Sequence, residues 1–262
     1  MEEAAKNGIY IAITPTWRDL VKKDTALTKE KAVSFASHLA IHFKNVPNII
    51  WINGGSTKGD TFTDIWETIG ETIKKNDSNH LITFHPFGSM QSSTWFNNSN
   101  WLDLNMFASG HRNYSQDDSQ TNYGEDNWRY VLSDLSKKPY RPTIDGEPSY
   151  ESLPQGIHDH TQPYWTAADV RRYAYWSVFA GSCGHIYGEN SVIQNYKKGE
   201  NLPESGAKLS FFEALDVEGA FEMQHLKNLV LSRPYFERVN DQSVIAGDEG
   251  EKYNRILVSK GK

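Results

Sequence analysis

Cysteine is almost absent. Cys183 is the single cysteine in 262 residues, so no internal disulfide can form and stability must come from packing. It lies in an apolar segment, which predicts a buried, unreactive thiol. Long hydrophobic runs are missing too: apolar residues make up 38% of the chain, and none of their runs nears the ~20 residues that span a bilayer. There is no basic excess, with 27 Lys and Arg against 33 Asp and Glu and a formal net charge of -6. That balance argues against nucleic acid or an anionic membrane as partner. No G-x-G-x-x-G or P-loop occurs, so the usual cradles for nucleotide phosphates are excluded. No apolar leader follows Met1 either; Met1-Glu-Glu-Ala-Ala-Lys6 is short and acidic, and reads as the end of an amphipathic helix.

Aromatic residues are the abundant class: 8 Trp, 13 Tyr and 12 Phe, 13% of the chain. Several stand among polar residues, including Trp95, Trp101, Trp128, Tyr164 and Trp165. Rings beside amides and carboxylates suit sugar recognition, in which a ring covers a pyranose face while polar groups hold the hydroxyls. The competing reading is that bulky rings simply fill the core.

Short β-type runs alternate with amphipathic helices. Strands are expected at 8–15, 48–53, 81–85, 103–108, 142–146 and 183–187. Thr28 caps a helix whose apolar face is Val33, Ala36, Leu39, Ala40 and Phe43. A second helix turns Phe62, Ile65, Trp66, Ile69 and Ile73 inward, and others are expected near 125–137, 167–180 and 211–231. From Arg233 the character changes, and 243–246 and 253–259 read as strands without helices. Six β/α steps imply a parallel sheet. Polar residues close many strands rather than one switch point, which favours a barrel over a doubly wound sheet.

Four strand ends carry chemistry. Arg141-Pro-Thr-Ile-Asp-Gly-Glu147-Pro148 runs straight into a carboxylate. Asn48-Ile-Ile-Trp-Ile-Asn53-Gly54-Gly55 ends in an amide and two glycines, Leu81-Ile-Thr-Phe84-His85-Pro86 in a histidine, and 104–109 in Gly110-His111. Four such ends suggest one shared site.

These runs, together with Pro15-Thr-Trp17, Asp145-Gly-Glu-Pro-Ser-Tyr-Glu151, Val170-Arg-Arg172 and Gly184-His-Ile-Tyr-Gly188, resemble the apiosidase-like glycoside hydrolases. The resemblance runs through nearly the whole chain in order. It implies a (β/α)8 TIM-barrel type, here incomplete at about six units over 1–232, with the beginning of a C-terminal β-sandwich at 233–262. On this expectation the first two barrel strands lie upstream, and the exposed sheet edges favour association unless covered. The partners implied are a carbohydrate substrate and the missing N-terminal and C-terminal parts of the same protein. No cofactor and no membrane insertion are implied, and the location is the periplasm, the cell surface or the exterior.

The resemblance makes Glu147 the nucleophile of a retaining glycosidase, forming a glycosyl ester that water later opens. The family's acid/base follows the glycine pair as Gly-Gly-Asp, but Ser56 stands there, and a hydroxyl cannot protonate a departing sugar oxygen at useful rates. Asp60 is the alternative acid, although capping of the next helix is its simpler role. Substrate contacts are expected at Trp17, Asn53, His85, His111, Tyr150 and Tyr187, and the last two could instead bond the nucleophile. Glu189 replaces a histidine of the family pattern. His158-Asp-His160 has zinc-ligand spacing but no third ligand, so a surface loop is expected. Arg171 and Arg172 read as ion-pair partners of Asp145 or Glu151, and Lys197-Lys198 as a solvated pair. The function expected is hydrolysis of O-glycosidic bonds of plant glycans, apiose or another pectin side-chain sugar being removed. The alternative is a carbohydrate-binding remnant.

Overall fold

The structure is a computed structural model that describes residues 1–21, 27–117, 122–199 and 203–261. It divides into two compact units. One comprises Met1–Phe107 and Ser136–Thr143, the other Ala108–Leu135 and Ile144–Lys262.

The first unit holds α1 (Glu2–Lys6), β1 (Ile11–Ile13), α2 (Lys29–Phe43), β2 (Ile49–Thr57), α3 (Thr63–Asn76), β3 (Ile82–Pro86), β4 (Met90–Gln91), α4 (Ser93–Phe96) and the start of β5 (Asn105–Ala108). Strands β1, β2 and β3 form a parallel sheet in that order, with Ile11 opposite Ile49 and Trp51 opposite Ile82. Thr28 caps α2 through the Lys31 amide, as expected. The helix buries Ala32, Ala36 and Ala40, three small residues that let it approach α3 closely. Val33 does not face inward: it is 44% exposed, because the alanine stripe occupies the buried face. Phe62 is also displaced from the expected core face, since it stands before α3 in the left-handed region with φ 58°. Trp51, Trp66, Phe84, Phe96 and Trp101 are fully buried and form the centre of the core. Each such ring removes roughly 150–250 Å² from water, an upper-bound gain of about 4–6 kcal/mol. Their polar atoms are satisfied: Trp51 donates to Asp77 at 2.8 Å and Trp101 to Glu67 at 2.6 Å. The elements β4 and α4, only two and four residues long, lie between the strands expected at 81–85 and 103–108.

The second unit continues from the end of β5 through α5 (Asn127–Leu135), the end of β6 (Thr143–Asp145), α6 (Ala167–Phe179), α7 (Asn190–Ile193), α8 (Glu218–Leu231), β7 (Arg238–Asn240) and β8 (Ser259–Gly261). Helix α6 starts in a capping box formed by Thr166 and Asp169. It packs against α5 and α8. The expected strand 183–187 reduces to a parallel bridge between Asp145 and His185, because the Ser182 hydroxyl takes the Gly184 carbonyl at 2.6 Å and turns the chain. The expected helix 211–231 is broken at Val217, whose backbone is extended.

The strands expected at 243–246 and 253–259 lie elsewhere. Asp241 accepts the Ser243 amide at 3.0 Å and closes a turn, so pairing falls to β7 and β8, which are antiparallel. This segment packs on its own unit. Asn240 and Ser259 donate to the Phe179 carbonyl at 3.0 and 2.8 Å, and the Tyr253 hydroxyl donates to Glu125 at 2.7 Å. Arg171 pairs with Glu222, and Arg172 with Glu125 and Asp169, rather than with Asp145 or Glu151. Cys183 is half-buried, and burial pushes its thiol up to about 11, which suppresses the reactive thiolate.

Candidate active site

Each unit presents its own group of strand-end residues. In the first, β2 ends in Gly54-Gly55-Ser56, and both glycines are sterically required. A Cβ on Gly54 (φ 90°) would lie 2.8 Å from the His85 carbonyl oxygen, and one on Gly55 (φ 130°) 2.6 Å from the Trp17 ring. Absent side chains therefore let Trp17 lie against the strand end, where it stays 43% exposed. Its ring stands 5.9 Å from that of His85. The Ser56 amide donates to His85 Nδ1 at 2.9 Å, so the ring proton of His85 resides on Nε2. Ser56 itself has φ 49°, a left-handed conformation, and its carbonyl accepts from Arg18 at 2.9 Å. Asparagine and aspartate tolerate that region better than most residues.

Two expectations change here. Asn53 is fully buried; its amide donates to the Trp66 carbonyl at 2.8 Å and its oxygen accepts the Gly54 amide at 3.0 Å. It clamps β2 to α3 rather than reaching a sugar. Asp60 is exposed and does not cap α3, which has no side-chain cap; Thr61 is its hydrogen-bond partner, at 3.5 Å. Trp101 and Trp165 are core residues, while Trp128 lies under the Arg255 guanidinium and Tyr164 under the Lys208 ammonium.

In the second unit, Glu147 follows the end of β6 with its side chain 19% exposed. Its Oε1 lies 3.3 Å from His111 Nε2, and its carbonyl accepts the Gly110 amide at 3.0 Å. His111 is buried against the Tyr150 ring at 4.6 Å, and its Nδ1 meets no partner among the described residues. Burial and the nearby Glu147 and Asp145 carboxylates push the Tyr150 phenol well above its ordinary range, so it remains a neutral donor. Gly188 makes room for Tyr150: a Cβ there would fall 2.3 Å from the ring.

Asp145, two residues before Glu147, is fully buried and accepts from the Ser109 hydroxyl at 2.8 Å and Asn127 Nδ2 at 3.0 Å. Burial raises its pKa to about 7, against the pull of those bonds. The sequence reading missed Asp145, Ser109 and Asn127 as site residues, although the Asp-Gly-Glu spacing carried the signal. Tyr187 belongs to a different cluster: its hydroxyl donates to Glu151 at 2.5 Å, and Glu151 also accepts the Gly219 amide at 3.2 Å. Its phenol is thereby used inside the fold. Glu189 is buried and caps α7 through the Val192 amide at 2.9 Å, and burial raises its pKa. Asp159 closes a turn onto Thr161 and Gln162, and no group of three potential ligands occurs among the described residues. No helix among those residues is long and apolar enough to cross a membrane.

A family model for the apiosidase-like catalytic domain matches residues 1–237. The chain belongs to this family. A solved structure described as a glycoside hydrolase is 48% identical, with a TM-score of 0.94 over 99% of this chain and 59% of its own. A glycoside hydrolase family 5 protein from Bacteroides vulgatus is 46% identical, with a TM-score of 0.95 over 99% of this chain and 57% of its own. The chain thus spans just under three fifths of these relatives' length. A β-glucuronidase from Ruminococcus gnavus, 14% identical with a TM-score of 0.56 over 88% of this chain and 42% of its own, shares the fold alone. No curated protein matches. The chain therefore has an α/β fold with glycoside hydrolases as its structural neighbours.

Proposed function

We propose that the protein is a retaining O-glycosidase of plant-type glycans, built over 1–232 as an incomplete barrel of the (β/α)8 type with about six units, and with a further β domain beginning at 233. The observation that carries the reading is Glu147, a partly exposed carboxylate at a strand end, hydrogen-bonded to His111. In the mechanism, Glu147 attacks the anomeric carbon, the bond to the aglycone oxygen breaks, and its electron pair leaves with that oxygen. A glycosyl ester forms, and water attacks the same carbon to free the carboxylate. His111 orients the carboxylate, and Trp17 supplies a face for a sugar ring on its own unit. The family's apiosidase-like description supports apiose as the group removed; another pectin side-chain sugar, and action at the periplasm or cell surface, belong to the same proposal.

Ser56 weakens this chemistry, because it stands where the family pattern has the acid/base and cannot donate a proton to a poor leaving group. That residue favours a second reading, a remnant that binds glycan without cleaving it. Mass spectrometry after incubation with activated aryl glycosides, with and without azide, separates the two. Such leaving groups need no proton, so a sugar-sized mass on the Glu147 peptide, released as glycosyl azide, supports the glycosidase. Glycan binding without any adduct supports the remnant.

A further inference from the structure

Glu147 is fastened to the neighbouring strand end by a short ladder inside the second unit. Ser109 meets Asp145, the Gly110 amide meets the Glu147 carbonyl at 3.0 Å, and His111 meets the Glu147 carboxylate at 3.3 Å. The last two rungs involve Glu147 itself; the first is made by a buried side chain at the root of both ends. Asp145 accepts there from three donors: the Ser109 hydroxyl at 2.8 Å, the Ser109 amide at 3.4 Å and Asn127 Nδ2 at 3.0 Å. Asn127, the first residue of α5, also donates to the Tyr173 carbonyl of α6 at 2.9 Å. The carboxylate therefore joins β5, β6 and, through Asn127, two helices.

We propose that Asp145 is a positioning residue for Glu147: its carboxylate holds the strand ends bearing Glu147 and His111 in register. This rests on the reading of Glu147 as nucleophile. Asp145 touches no reacting atom. A residue fully buried among three donors is poorly suited to meet substrate, and its effect passes through the Ser109-Gly110-His111 turn. The geometry matters because a reacting group displaced by about 1 Å can lose about 100-fold in rate.

Asp145→Asn preserves shape but replaces one acceptor oxygen by an NH2 group, which must then face either the Ser109 amide or the Ser109 hydroxyl and Asn127. The whole protein is assayed for the rate of Glu147 labelling by an activated aryl glycoside, and His111 is followed by nitrogen NMR of its imidazole. The expected result is a loss of about 30–100-fold in the limiting rate, the scale set by such misplacement, with half-saturation changed less than about threefold. The His111 ring shifts move with it. Ser109→Ala, which keeps the carboxylate and the core volume, moves both the same way by less and stands in if Asp145→Asn does not fold. Unchanged labelling and unchanged His111 shifts in a folded variant overturn the proposal, as does a loss confined to half-saturation. If the unaltered protein does not label at all, the nucleophile reading fails. Asp145 is then judged by His111 alone: shifts that move in both Asp145→Asn and Ser109→Ala uphold the clamp, and static shifts remove it.

Discussion

The two units finish their strands by opposite means. The end of β2 is built from missing side chains: Gly54 and Gly55 leave room for Phe84, the His85 carbonyl and the Trp17 ring, and side chains of Asn53, His85 and Arg18 bond its backbone groups. The end of β6 is built from an added charge, with Asp145 buried among donors and Glu147 beside it. The first design positions an aromatic face and a histidine tautomer; the second positions a carboxylate. A glycine end fails by crowding and a carboxylate end by loss of a partner, so the two can be broken separately.

The largest effect is expected at the second end. Glu147→Gln keeps size and shape, so the fold should persist while the covalent glycosyl adduct disappears altogether; intact-protein mass reads it, and a persisting adduct at that peptide would sink the nucleophile assignment. Next comes Ser56, at the proposed acid/base position. Ser56→Asp introduces a residue that tolerates φ 49°, and it should raise hydrolysis of glycosides with poor leaving groups by about 10²–10⁴-fold, the usual worth of general acid catalysis. Activated aryl glycosides should gain much less, and equal gains for both would separate the effect from proton donation.

Crowding the first end acts on stability. Gly54→Ala combines backbone strain of about 1–3 kcal/mol with overpacking of about 1–3 kcal/mol, because the new Cβ meets a backbone carbonyl. Gly55→Ala should cost about half as much, since Trp17 is partly exposed and can swing away. Chemical denaturation gives the order, and Trp17 emission should change in the second variant more than in the first.

A smaller effect separates two buried groups by pH. The folded pKa of Asp145, about 7, lies above its ordinary 3.8, so the folded state holds the proton more tightly. Stability from this group is present at low pH and is lost as pH rises through 7. His185, lowered to about 3 by burial, works the other way, losing stability as pH falls from 6.5 toward 3. The two slopes oppose each other between about pH 4 and 6.5. Asp145→Asn should therefore leave a melting temperature that rises through that window and no longer falls between pH 6.5 and 8. Identical pH profiles for variant and parent would contradict the raised pKa. The smallest effect is Asp60→Ala, which should stay within about 0.5 kcal/mol, since an exposed residue that caps nothing contributes little.

Local pattern was enough to locate most elements. The alanine and isoleucine spacings mark α2 and α3, Thr28 marks a helix start, and the short apolar runs mark β2, β3 and β5. Errors cluster where short range misleads. Val33 is as apolar as Ala36, but only packing decides which stripe of a helix is covered. The run 243–246 is strand-like, yet an Asx turn from Asp241 takes its amide first. At the site, Glu147 was legible because a carboxylate between glycine and proline at a strand end is a local feature. Asn53 and Tyr187 were assigned outward roles because amides and phenols do suit sugars; their actual partners, the Trp66 carbonyl and Glu151, lie 13 and 36 residues away.

By itself, the sequence determined the order of strands and helices, the two glycines and the serine near the end of β2, and the acid before Pro148. These depend on neighbours within a turn or two. Tertiary structure decided which polar groups are spent inside the fold and which remain for a ligand. Burial and hydrogen-bond partners are set by contacts across tens of residues, such as Ser109 with Asp145 and Tyr253 with Glu125, and residue type alone does not encode them.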